Sequence, residues 1–237
     1  MDENRSLASA LTQDLGLSSP PVALAFVETP PAGIAEFQDD VPSACTLWRR
    51  AEAGVFYAPA AKHFNCPIGA MTMGFDMPAE VKEQLMGAVG MMCEANYISP
   101  DEPAHIPSVS RPKSGIVYGP LADFPLSPDL VLMWVTPRQM MLVSEASGKA
   151  KWSADSRASL FGRPACTALP VALNGASPAI SAGCLGMRTF TEISDDRGLS
   201  VLPGEGLAAF VEALGQTMTA NAAMGAYYQG QKALFST

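Results

Sequence analysis

"PVALAFVETP" (residues 21–30) and "PDLVLMWVTP" (residues 128–137) decide the fold. Each places an apolar run between an outer proline and a closing Thr-Pro, and the second lies 107 positions after the first. A run without polar alternation, such as Val22 to Val27, fits a strand buried on both faces. The prolines stand at the ends, where they remove no ladder donor. The expected class is therefore α/β, with α+β as the alternative.

Working outward, each strand leads to a cysteine-bearing helix. "SACTLWRRAEAG" (43–54) returns as "PACTALPVALNG" (164–175), 121 positions later. Cys45 matches Cys166, Thr46 matches Thr167, Ala51 matches Ala172 and Gly54 matches Gly175. The larger offset gives the second copy 14 extra residues between strand and helix. A second cysteine then follows: Cys66 lies 21 residues after Cys45, and Cys184 lies 18 after Cys166. Glycine and methionine follow both, in "CPIGAM" and "CLGM". This pattern predicts one domain with an internal duplication, covering residues 17–97 and 115–203, followed by a helix and tail over 204–237. Such halves resemble a fused dimer, related by a pseudo-two-fold axis around a shared core. Chance similarity in a chain rich in Ala, Gly and Pro is the competing account.

The remaining elements read as follows. Residues 4–15 form an amphipathic helix with Leu7, Leu11 and Leu15 on one face and Gly16 as the stop. "VFYA" is a short strand, and Pro67 opens a helix after Cys66. The clearest helix covers 78–97, with Val81, Leu85, Val89 and Met92 in register. Residues 98–114 form a loop. "GIVYGPL" and "LSVLPG" are further strands, "PRQMMLVSEASG" is a helix from Pro137 to Gly148, and a last helix covers roughly 204–223.

Composition excludes several classes. The chain has 237 residues, 48% hydrophobic and 16% charged, which describes a globular protein with a substantial core. Its formal net charge is −8 with no Lys/Arg run, which argues against nucleic acid and anionic membrane surfaces as partners. No apolar run approaches the ~20 residues a bilayer requires. The N-terminus lacks the basic start and apolar block of a secretory signal, so a cytoplasmic location is expected. In that compartment five cysteines are thiols or ligands rather than disulfides.

"LGLSSPPVALAF", "CTLWRRAEAGVFY…NCPIGAMTMG", "GIVYGPL…PDLVLMWVTPRQMM" and "C…GCLGMR" together resemble an uncharacterised prokaryotic family, domain of unknown function 169. The resemblance covers nearly the whole chain. It implies that Cys45, Cys66, Cys166, Gly183-Cys184 and Arg188 belong to the family pattern. It implies no reaction.

The residues themselves suggest chemistry. Cys45 and Cys166 lie in the first turn of predicted helices, where unpaired N–H groups favour a thiolate. Cys66 precedes Pro67 at another helix start, and Cys184 sits among glycines in "AGCLG". Cys45, Cys66, Cys166 and Cys184, paired across the duplication, suggest a soft metal site. An iron–sulfur cluster between the halves is the leading expectation, with an electron-transfer, cofactor-handling or redox role. No C-x-x-C occurs, so the fold must assemble the site. Packing as small buried residues is the plain alternative for all four. Cys93 is read as core, and His105 as a solvated loop residue.

His63 and Arg188 are candidate cofactor-binding residues: the first three positions before Cys66, the second beside Cys184. Thirteen methionines are mostly helix faces, but they also suit a Met-lined pocket for a small molecule or tetrapyrrole. A thiol enzyme using Cys66 or Cys184 is a third reading, so enzymatic activity stays open. A small-molecule ligand or redox partner and a homo-oligomer are expected. No phosphate loop, dinucleotide fingerprint, nucleophile elbow or H-E-x-x-H motif is present.

Overall fold

A computed structural model describes residues 2–111, 113–148, 160–161 and 163–235. Part of the second copy's longer connection, residues 149–159 and 162, lies outside the described residues, as do residues 1, 112, 236 and 237.

The class is mixed α/β. A seven-stranded sheet runs β2-β3-β1-β4-β7-β6-β5. Its strands are β1 (Val22–Val27), β2 (Phe56–Pro59), β3 (Gly115–Pro120), β4 (Leu130–Val135), β5 (Leu160–Phe161), β6 (Ala179–Ser181) and β7 (Gly198–Pro203). The two strands that open the analysis are its centre: β1 and β4 pair antiparallel, with Ala23 opposite Val131. Every other neighbouring pair is also antiparallel except β5 with β6. From one edge inward the order is β2, β3 and β1, and from the other, inside β5, it is β6, β7 and β4.

Both faces of the central strands are buried, as their continuous apolar sequence requires. Alternation separates two cores. Val22, Leu24, Leu130, Leu132, Trp134, Leu199 and Val201 point to one face. Ala23, Ala25, Val131, Met133, Val135 and Leu202 point to the other.

The second face is covered by α1 (Asp2–Leu15), α5 (Pro137–Ala146) and α8 (Leu207–Ala233). Leu11 and Leu15 of α1 are buried, as the amphipathic spacing predicts. Thr136 starts α5 with a capping box: its hydroxyl accepts from Gln139 N while Gln139 accepts from Thr136 N. Helix α8 runs ten residues past the expected 223, so the tail is largely helical, and its outer half is exposed. Periodicity missed this extension because that segment has no buried stripe to read.

The first face carries the helices that hold the cysteines: α2 (Ala44–Arg50), α3 (Pro67–Thr72), α6 (Ala168–Gly175) and α7 (Leu185–Thr191). Over them lies α4 (Ala79–Glu94), whose one buried residue is Leu85, packed with Ala70 and Met77. Cys93 is half-buried in the last turn of α4 rather than in a core, because α4 covers the helix layer instead of the sheet. Among the described residues no helix is long and apolar enough to cross a membrane.

Candidate functional site

Each of the four cysteines stands at a helix start on the same side of the sheet. Cys45 is the second residue of α2. Cys66 precedes α3, whose first residue is Pro67. Cys166 lies in the 3-10 turn Ala165–Thr167 that enters α6, and Cys184 is the N-cap of α7. Helix α2 packs against both α3 and α7, and α3 packs against the turn carrying Cys166. Gly69 permits that approach: a Cβ there would lie 3.0 Å from both Ala44 Cβ and Cys66 Sγ.

The result is one cavity of about 550 Å³ that all four cysteines line. That volume falls within the ordinary range of small-molecule sites. Apart from the sulfurs, its walls are mainly apolar, including Ile68, Met71, Met92, Met187 and Phe190. Trp48 also borders it; its buried indole N–H has no hydrogen-bond partner among the described residues. Among those residues, no group of three or more His, Cys, Asp or Glu is arranged to hold a single metal ion.

Hydroxyl and amide groups back three of the sulfurs. Ser43 Oγ lies 2.9 Å from Cys45 Sγ. Thr72 donates its hydroxyl to Ile68 O at 2.8 Å and accepts from Cys166 Sγ at 3.5 Å. Met187 N–H donates to Cys184 Sγ at 3.4 Å.

Burial sets the charge state of the two deepest thiols. It pushes Cys45 up to about 12, partly offset by Ser43 and reinforced by the nearby Cys66 and Cys184. Burial likewise raises Cys166, where Thr72 opposes the rise and the other three cysteines add to it. Helix starts were expected to favour thiolates here. The helices are only two turns long, and desolvation of the charged form outweighs their end charge. Cys66 and Cys184 each act electrostatically on both Cys45 and Cys166.

His63 and Arg188 are not among the residues lining the cavity. His63 is fully buried. Its Nδ1–H donates to Pro59 O at 3.1 Å, so Nε2 accepts from Tyr118 Oη at 2.9 Å. Burial lowers its pKa to about 4 and raises that of Tyr118. Arg188 donates to Ala182 O at 2.6 Å and Arg197 O at 3.0 Å, and pairs with Asp195 at 3.7 Å. It ties the loop after α7 to the strand before it. Gly183, expected to bring backbone close to a ligand, holds a left-handed φ of +88°, and a Cβ there would strike Met187 Cε.

The mouth holds residues that sequence reasoning did not single out. Arg163 stacks over the Tyr97 ring at 4.5 Å and lies 4.0 Å from Glu102. His105 is exposed there, as expected of a loop residue, yet it lines the cavity. Arg163 stands two residues before the second "ACT", the signal that could have flagged it.

Comparison with curated proteins and with solved structures yields no match. A family model, described as uncharacterised ArCR, matches residues 10–213, which include all four cysteines, the whole sheet and the cavity. The chain belongs to the domain of unknown function 169 family.

Proposed function

We propose that the cavity binds a thiolate-ligated cofactor, an iron–sulfur cluster held by Cys45, Cys66, Cys166 and Cys184, in a redox, electron-transfer or cofactor-handling role. The observation that carries this reading is that four cysteines from four helix starts, two from each half, line one cavity. A single tetrahedral zinc would need four sulfurs within about 3.8 Å of each other, given Zn–S near 2.3 Å. No such group is present among the described residues. A cluster places its ligands on separate irons and tolerates wider spacing. Ser43 and the Met187 amide supply hydrogen bonds of the kind that tune a cluster's potential. The unpartnered Trp48 N–H is a donor that a guest with acceptor atoms can satisfy.

We infer that the matched strand–helix–cysteine units descend from a duplication, which the antiparallel pairing of their opening strands, β1 and β4, at the centre of the sheet supports. We place the protein in the cytoplasm as a homo-oligomer; Met224, Tyr227 and Tyr228 exposed on α8 support self-association.

A second reading is an organic ligand, such as a tetrapyrrole, in the same cavity. Its volume and the methionines Met71, Met92 and Met187 favour it.

Anaerobic purification and reconstitution, followed by absorption spectroscopy and iron and acid-labile sulfide analysis, tests the proposal. Visible charge-transfer bands are expected in the wild type and their loss in a Cys45→Ala/Cys166→Ala variant that keeps its circular dichroism. Absence of iron and sulfide from the reconstituted wild type, or an unchanged spectrum in the variant, overturns it.

A further inference from the structure

Among the described residues that line the cavity, Arg163 is the one Lys or Arg, and it stands with Tyr97, Glu102 and His105. Its guanidinium lies over the Tyr97 ring at 4.5 Å, which holds a planar donor fork in place by cation–π contact. Its acidic neighbour is only loosely engaged: Nη2 of Arg163 lies 4.0 Å from Glu102 Oε1, beyond hydrogen-bond distance. Glu102 is committed elsewhere, accepting from Ser99 N at 2.9 Å and Ser99 Oγ at 3.2 Å. Arg163 therefore presents an oriented cation with spare donors beside apolar walls that include Val89, Met92 and Ile106.

We infer that the cavity binds an amphipathic monocarboxylic acid, its apolar body against those walls and its carboxylate on Arg163. A guanidinium fork matches a carboxylate bidentately. Arg163, the one cation among the described lining residues, stands beside an acidic side chain in a chain of net charge −8, which disfavours a dianion such as a phosphate monoester. This rests on the reading of the cavity as a binding site and is independent of which group the cysteines hold.

Decanoate and 2-naphthoate are the probes, titrated calorimetrically into the full chain at pH 7.5, both metal-free and after anaerobic reconstitution, with 2-naphthol as the uncharged control. At least one acid is expected to bind. Arg163→Gln should weaken that acid roughly 10- to 100-fold, the scale of a lost charge-assisted pair, while changing 2-naphthol less than threefold. Glu102→Gln removes the competing charge and should tighten the acid roughly twofold to fivefold. The second variant keeps an acceptor for Ser99 and gives a result even if Arg163→Gln does not fold. Failure of both acids to bind, undiminished acid binding by folded Arg163→Gln, or Glu102→Gln that fails to tighten it overturns the inference. Iron and sulfide content decides the cluster separately, so the two failures are distinguishable.

Discussion

Acid should unfold this protein through His63. The residue is fully buried between Pro59 O and the Tyr118 hydroxyl, with Phe75 against its ring at 4.7 Å. Protonating Nε2 would set an N–H against the hydroxyl that now donates to it, in a site closed to water. Burial away from water lowers its folded pKa from 6.5 to about 4. The unfolded chain binds this proton first, so stability is complete above about pH 6.5 and falls as pH drops from there towards 4. At 1.36 kcal/mol per unit the loss reaches about 3 kcal/mol, a large share of an ordinary domain's stability. The assay is urea unfolding of wild type and His63→Gln between pH 7.5 and 4.5. The variant loses partner geometry and should be about 1–3 kcal/mol less stable at pH 7.5. Carboxylates titrate in both proteins, so their contributions cancel in the difference. The gap between the two should close as pH falls. A gap that stays constant to pH 4.5 refutes the argument that a desolvated neutral imidazole sets the acid limit.

Further outcomes follow from the same physics. At pH 7.5 the metal-free protein should alkylate Cys45 with iodoacetamide at least ~100-fold more slowly than an unperturbed thiol, read by peptide mass spectrometry, because a pKa near 12 leaves almost no thiolate. Fast labelling of Cys45 in the folded protein would contradict its burial. Gly204→Ala should destabilise by at least ~2 kcal/mol or prevent folding, since a Cβ there would fall 1.7 Å from Pro128 O where β4 and β7 meet. An unchanged melting temperature in that variant would show that the β4–β7 junction yields easily.

The centre of the fold was legible because its signal is local. Val22–Val27 and Leu130–Val135 have no polar face to turn to water, so any fold of this chain must cover both sides of them. Two helix starts were legible for a similar reason: Pro67 at the start of α3 and Pro137 at the start of α5 constrain the backbone within a few residues. His63 shows the limit. Three positions before Cys66 it reads as a candidate ligand, yet the 3-10 turn Ala60–His63 points its ring onto β3, where Tyr118 takes it. Arg188 reads as an anion anchor, yet nearby carbonyls engage its guanidinium. Arg163 and Tyr97 were silent because their stacking joins segments 66 positions apart.

The amino-acid sequence alone determined the α/β class, the two matched strand–helix–cysteine units and which four cysteines to watch, since hydrophobic period and turn chemistry act over short spans. Only the tertiary structure decided that those cysteines line one cavity, that burial keeps Cys45 and Cys166 protonated, and that Arg163 stands at the mouth. Convergence and desolvation depend on which helices pack on the same face of the sheet, and that is a property of long-range packing.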